Sequence, residues 1–375
     1  MKPDLVNLRL ALLALAGASL LGGLNAGLVA LGVWAPVRAP RFADIHGIVM
    51  SLGFMGTVIA LERAQSLRQT WAYLAPATIG AGSIALILGY TALGQLLLIQ
   101  GTALFVLTYI ALWKRAPLPL LVIQIASALM VMLASTFWVL YSIEELIPLL
   151  VSYIVLTIAS ERVELAALTM KGASHILAIF TLPLTLLPIG TLIWPYAVRP
   201  FGATLTLLAI WLLKADIVRK TIRTTGLYRY NAAALATGYI WLIAAGLTWI
   251  CVGKITSGAT YDLTIHATFI GFGMSMIMAH APVIFPAVIA RPLPYHPVLW
   301  APLALLQLGL IIRFAGYLTA NSAAWHLGAI INIAAILLFA ITSVSLVVLA
   351  GRIKLQHGAK TQTSRPHNPT HTAKR

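Results

Sequence analysis

Two histidines each begin a long apolar segment that contains glycine and methionine. His46 begins HGIVMSLGFMGTVIALER, and His266 begins HATFIGFGMSMIMAHAPVIFP. A neutral imidazole binds iron, copper and zinc alike. Two such rings at one depth would predict a shared metal or cofactor site, and their depth depends on the helices that carry them.

The composition predicts an all-α polytopic membrane protein. The chain has 375 residues, of which 60% are hydrophobic and only 9% are charged. Apolar runs of about 18 residues or more recur throughout, each long enough to cross a bilayer. These runs are continuous and do not alternate, which argues against strands. We predict twelve transmembrane helices, at about 10–33, 44–61, 71–90, 93–113, 119–141, 146–161, 174–194, 200–218, 231–252, 263–290, 297–319 and 325–350.

The chain divides into a membrane domain, residues 1–351, and a basic tail, residues 352–375. The tail is polar and without apolar periodicity, so we expect it to be disordered. The single cysteine, Cys251, excludes an intrachain disulfide. The lipid bilayer is the expected partner.

Lysine and arginine are distributed unevenly among the loops. The loops after the even-numbered predicted helices hold twelve of them, and the loops after the odd-numbered helices hold four. Basic loops stay on the cytoplasmic side, so we predict the cell (inner) membrane with both termini in the cytoplasm. This bias also accounts for the formal net charge of +16, and no nucleic-acid partner is expected.

In this orientation three histidines lie at the outer ends of helices. His46 and His266 share that level in the second and tenth helices, and His326 joins them in the twelfth. All three are candidate metal ligands. Asp44 and Asp262 precede the first two rings and are candidates to hold them in place, Asp262 at the i,i+4 spacing that lets a carboxylate accept a ring N–H.

A glycine follows each of the first two histidines by seven residues. Gly53 and Gly273 return to nearly the same helix face as His46 and His266, so they are candidates to border a flat cofactor. Helix–helix packing explains glycine at these positions equally well.

A second polar level is predicted near the inner ends of the helices. His280 follows His266 by 14 residues, which is about 21 Å deeper and about 40° around an ideal helix. Ion pairs that lock two helices together explain this level as well as a proton path or a ligand site does. The other residues predicted here are Glu62, Arg63, Glu161, Arg162, Glu164 and His175.

The twelve-helix pattern with histidines on helices two and ten resembles the haem–copper oxidase subunit I fold. The two quoted segments are more similar to NnrS-type proteins, haem- and copper-containing relatives linked to nitric oxide tolerance. The resemblance implies that His46 and His266 are axial ligands of a haem, of the b-type, with nitric oxide as a small gas ligand.

The chain also departs from the oxidase pattern. The sixth predicted helix has no histidine, and the tenth has only His266 at the outer level. A binuclear oxygen-reducing site is therefore not expected, and whether the chain is an enzyme stays open.

Two other functions remain open at this stage. One is a cofactor-free secondary transporter that uses the inner histidines and carboxylates. The other is a copper protein with His46, His266 and His326 as ligands. The sequence does not identify an electron-transfer partner.

Overall fold

Twelve long helices make up the part of the protein that the structure describes. The computed structural model describes residues 3–167 and 169–363, and this part of the chain contains no strand. The prediction of an all-α multi-pass membrane protein is confirmed. The spans, here α1 to α12 in chain order, are Leu5–Ala30, Arg41–Leu67, Thr70–Leu88, Thr91–Arg115, Pro119–Phe137, Ile143–Leu165, Ala173–Gly190, Pro195–Ala215, Gly226–Val252, Gly258–Pro286, Pro297–Leu318 and Ser322–Gly351.

Helix α6 forms the centre of the bundle. Within its most apolar 18-residue window, 89% of the residues are buried. Its first turn is fixed by a capping box, in which Ser142 and Glu145 satisfy each other's backbone N–H groups. Because α6 is surrounded, Glu161 and Arg162 near its end lie inside the protein, whereas Glu164 is exposed.

Helices α2 and α10 share an unusual feature. Each changes from α-helix to π-helix for eight residues, over Val49–Gly56 in α2 and Ala267–Met274 in α10, and then returns to α-helix. The first π segment begins three residues after His46 and the second directly after His266. π-Helical turns are rare and concentrate at functional sites, and here they change which residues face the interior below each histidine.

Close approach of α11 and α12 depends on glycine. A Cβ added at Gly328 of α12 would lie 2.4 Å from the backbone nitrogen of Arg313 in α11. Side chains at this crossing would separate the helices. The glycine therefore brings Arg313 into the interior of the bundle.

The last helix is longer than its membrane span. It runs over Ser322–Thr363, which extends beyond the predicted start of the tail at residue 352. Residues 364–375 of the predicted tail lie outside the described residues. Which end of the bundle faces the cytoplasm stays a prediction from the lysine and arginine distribution.

Candidate functional site: a facing pair of histidines

The two histidine rings meet inside the bundle. The ring centroids of His46 and His266 lie 6.4 Å apart, and the ring planes differ by 25°. The rings come from α2 and α10, and the two histidines are 220 residues apart in the chain. The predicted equal depth of the two histidines therefore corresponds to a direct pairing in space.

Both rings are held through the same nitrogen. His46 Nδ1 lies 2.8 Å from the carbonyl oxygen of Gly23 in α1. His266 Nδ1 lies 2.7 Å from the carbonyl oxygen of Asp262, one turn earlier in α10. A carbonyl only accepts, so each Nδ1 carries the proton and donates it. Each Nε2 then has a free lone pair, and no described residue gives either Nε2 a hydrogen bond.

The rings lie in the wall of an internal space, the histidine cavity. Its volume is ≈160 Å³, and six helices line it: α1, α2, α6, α10, α11 and α12. Most of the lining is aliphatic, from side chains such as Leu150, Ile265 and Ile333. Two imidazoles with free lone pairs in an apolar space have the chemistry that would be needed to hold a metal or a metal-bearing planar group.

Three methionines add sulfur to this lining, namely Met50, Met55 and Met274. Methionine is unbranched and adapts its shape to what it packs against. Thioether sulfur is also a soft ligand that favours Cu(I). The cavity wall can therefore adjust to a bound group, and it can supply further ligands to a soft metal.

A buried ion pair lies beside His266. The Asp262 carboxylate accepts a hydrogen bond from Arg313 Nε at 2.7 Å and from Trp325 Nε1 at 2.8 Å, and Arg313 makes a second contact with it. The same carboxylate lies 3.2 Å from His266 Nδ1. Asp262 thus supports the ring through its carbonyl and its side chain, as its i,i+4 spacing suggested, and Arg313 holds Asp262 in place.

Arg313 was not among the residues selected from the sequence. The signal was present, because it is a charged residue in the middle of the apolar α11 segment LGLIIRFAGYL. A charge at membrane depth is functional by default and has a partner. That partner is Asp262, 51 residues away in the chain.

Asp44 does not occupy the position predicted for it. It is exposed, and the ring nitrogen of His46 bonds to the Gly23 carbonyl instead. Asp44 is two residues before His46, and residues at this spacing point in different directions on a helix. A carbonyl from another helix therefore supplies the support that the sequence assigned to a neighbouring side chain.

The two predicted glycines border other helices and not the histidine cavity. A Cβ at Gly53 would lie 2.1 Å from Ser83 Oγ in α3, and one at Gly273 would lie 3.3 Å from Met55 Cε. Both glycines are within the π segments, so the α-helical seven-residue repeat does not apply to them. The glycine next to a ring is Gly27 of α1, where a Cβ would lie 3.0 Å from His46 Cε1.

His326 is nearby but does not join the pair. Its Nδ1 lies 2.7 Å from the Ser322 carbonyl and its Nε2 lies 3.2 Å from the Leu31 carbonyl, so both nitrogens face backbone oxygens. It does not line the histidine cavity. Within the described residues, no group of three or more His, Cys, Asp or Glu side chains is arranged to hold a metal ion.

The predicted inner level consists of two separate networks. In the Arg63 network, the guanidinium contacts Glu62 at 2.5 Å, Glu161 at 3.0 Å and Glu164 at 3.7 Å. This network joins the end of α2 to the end of α6. It brings together four of the seven residues predicted at this level.

The Arg162 network is built around an aspartate that the sequence analysis missed. Asp216, directly after α8, accepts from Arg162 at 2.8 and 3.0 Å and from the Tyr239 hydroxyl at 2.7 Å. His280 Nε2 lies 3.2 Å from Arg162 Nη1. His175 is exposed at the start of α7, and no contact links it to either network.

Comparison with known proteins identifies the family. A family model described as a domain of unknown function, DUF8744, matches residues 9–348, a range that contains the histidine cavity and both networks. No curated protein matches the chain, and no solved structure matches it. The chain therefore belongs to the DUF8744 family.

Proposed function

We propose that this chain is a membrane haem protein in which His46 and His266 are the two axial ligands. The observation that carries the proposal is the pair of rings at 6.4 Å and 25°, each held at Nδ1 by a backbone carbonyl. Histidine ligands of metals are typically oriented in this way, through a hydrogen bond from the other ring nitrogen.

The spacing of the rings suits a single metal between them. With metal–nitrogen bonds of about 2 Å, two imidazoles on opposite sides of one ion have ring centroids roughly 6 Å apart. The spacing in the protein is 6.4 Å. Little movement of α2 or α10 is then needed for both nitrogens to bind.

The surrounding residues also fit a haem. The histidine cavity is apolar around the rings, and the guanidinium in its lining, that of Arg313, is already neutralised by Asp262. Gly27 leaves the space beside the His46 ring open. The volume of ≈160 Å³ is small for a macrocycle, so we expect the flexible Met50 and Met55 side chains to move aside.

Two axial imidazoles would make the bound iron suitable for electron transfer. Nitric oxide would need a free position on the iron, which would be available only with one of the two histidines displaced. The Nδ1 hydrogen bonds of His46 and His266 would oppose this displacement, because they fix each ring. We therefore propose electron transfer as the main role, with nitric oxide as a ligand of a state in which one histidine has moved away.

The test is the absorption spectrum of the purified protein, oxidised and dithionite-reduced, with elemental analysis for iron and copper. We expect a Soret band, split α and β bands on reduction, and iron in proportion to haem. A colourless, metal-free protein from a haem-sufficient host would rule out both haem and copper.

Copper is the second candidate, and the methionines favour it. Met50, Met55 and Met274 line the same cavity as the two imidazoles, and thioether with imidazole is a Cu(I) ligand set. In this alternative the methionines take the place that the sequence analysis gave to His326. Copper without a Soret band would select this candidate.

Filling the space beside His46 is expected to reduce haem content. In Gly27→Val the side chain would meet the His46 ring, since a Cβ alone lies 3.0 Å from Cε1. We expect the Soret absorbance per protein to fall by about tenfold, the lower end of the range of about 10–100-fold known for second-shell changes. Gly17→Val on the same helix is the control, because a Cβ there has no atom within 4 Å. Equal haem content in both variants would contradict the assigned role of Gly27.

A further inference from the structure

A second cavity lies between the two arginine networks. This carboxylate cavity has a volume of ≈60 Å³, and its polar lining residues are Glu62, Glu161 and His280, from α2, α6 and α10. Its other walls are apolar. Met55 lines both this cavity and the histidine cavity. The two cavities have different polar linings but a common wall at Met55, and α2, α6 and α10 contribute to both.

Negative charge exceeds positive charge at this cavity. Arg63 faces two carboxylates whose side chains are only 17% and 9% exposed, those of Glu62 and Glu161. The third carboxylate of the network, Glu164, is 56% exposed and is therefore solvated. One buried guanidinium thus faces one buried carboxylate, Glu161, and one half-buried carboxylate, Glu62, and an unpaired charge is costly in a membrane interior.

The Arg162 network does not supply the missing positive charge. Arg162 is matched by Asp216, with which it makes two hydrogen bonds. A guanidinium only donates, so His280 Nε2 must accept from Arg162 and its ring is neutral. The cavity therefore keeps one excess negative charge from the Arg63 network.

Unpartnered donors indicate that something besides protein belongs near these acids. Tyr109 of α4 is completely buried, interacts electrostatically with Glu161 and Arg63, and has no hydrogen-bond partner for its hydroxyl. Arg63 Nε also lacks a partner. Buried polar groups in this position are normally satisfied by ordered water. A volume of ≈60 Å³ has room for a few water molecules or a hydrated ion.

We propose that the carboxylate cavity binds one monovalent cation between Glu62 and Glu161. The cation is either a proton or a sodium ion. Both would place a single positive charge between the same two carboxylates. This site does not depend on haem. Its two carboxylates lie on α2, the helix that carries His46, and on α6, and α10 adds His280 to the lining.

The ionisable groups that face the site come from every helix packed around it. They are Glu62 and Arg63 of α2, Tyr109 of α4, Tyr153, Glu161, Arg162 and Glu164 of α6, Asp216 after α8, Tyr239 of α9, and His280 of α10.

Infrared spectroscopy of the full-length protein in lipid nanodiscs tests the proposal. The C=O stretch of a protonated carboxyl is measured near neutral pH without sodium and again after addition of NaCl, with proton release followed in weak buffer. Glu161→Gln and Glu62→Gln are the test variants, because glutamine keeps the shape without the charge. Glu164→Gln is the matched control, since it belongs to the same network but is exposed.

Either of two results supports the site. A protonated-carboxyl band that persists with sodium identifies the proton as the bound cation. A band that disappears on addition of sodium, with one proton released per protein, shows that sodium competes for the site. In both cases the response must be lost in Glu161→Gln or Glu62→Gln and kept in Glu164→Gln.

Two other results would overturn the proposal. One is a wild-type protein with neither a protonated-carboxyl band nor sodium-dependent proton release. The other is a wild-type response that both Glu161→Gln and Glu62→Gln retain. Haem content is recorded on the same samples, so failure of this site is distinguished from failure of the histidine site.

Discussion

Replacing either His46 or His266 with alanine is expected to abolish low-spin haem binding. Both rings present a free Nε2 to the same cavity, and no third histidine lies within it. Loss of one ligand would leave iron with a single protein bond, so we expect haem content to fall by more than about 100-fold, beyond the range of about 10–100-fold for second-shell changes. The measurement is Soret absorbance per protein after purification.

His326→Ala is the matched control for these variants. It removes a histidine from the same end of the bundle, but one whose nitrogens face the Ser322 and Leu31 carbonyls. We expect wild-type absorbance from this variant. Loss of the Soret band in His326→Ala alone, with both other variants still coloured, would mean that the ligand assignment is wrong.

Breaking the Arg162 network is expected to have the largest effect on stability. Asp216→Ala leaves the Arg162 guanidinium buried without its carboxylate, and both side chains are nearly inaccessible. Removing one partner of a buried ion pair costs about 3–5 kcal/mol. The midpoint of thermal unfolding in a mild detergent, followed by size-exclusion fluorescence, measures the effect.

A double variant separates the ion pair from packing. Arg162→Met with Asp216→Leu replaces both charges by apolar side chains of similar size, and such replacements of buried pairs are often neutral or stabilising. We therefore expect the double variant to unfold at a higher temperature than Asp216→Ala. If Asp216→Ala has the wild-type midpoint, the pair does not stabilise this end of the bundle.

The helical architecture was predictable because the apolar runs are long and uninterrupted. All twelve predicted helices correspond to spans in the structure. The predicted first helix, 10–33, begins five residues later than the span Leu5–Ala30, which includes the buried Arg9. Length and hydropathy determine where a helix crosses a membrane, but they do not determine which charged residues enter the bundle.

The histidine pair was also predictable, but its surroundings were not. The order and direction of the predicted helices were enough to put His46 and His266 at the same depth in the membrane. The groups that hold the rings lie on helices far away in sequence. The Gly23 carbonyl of α1 accepts from His46, and Arg313 of α11 holds Asp262 beside His266. A single sequence contains no signal for a carbonyl that accepts a hydrogen bond from another helix.

The π segments explain the remaining differences. Gly53 and Gly273 were assigned to the cofactor on the assumption of a regular α-helix after each histidine. The wider turns over Val49–Gly56 and Ala267–Met274 change the direction in which these glycines point. Glycine-rich sequence is compatible with both helix types, so the pattern alone does not distinguish them.

The most direct test of the haem proposal is the electron paramagnetic resonance spectrum of the oxidised wild-type protein. If both rings bound one iron at this angle, their planes, which differ by only 25°, would make the two iron orbitals that overlap with them unequal in energy. We therefore predict a rhombic low-spin ferric signal, converted to a high-spin signal or lost in His46→Ala and His266→Ala. A wild-type high-spin signal, or a low-spin signal that survives both substitutions, would contradict axial ligation by this pair.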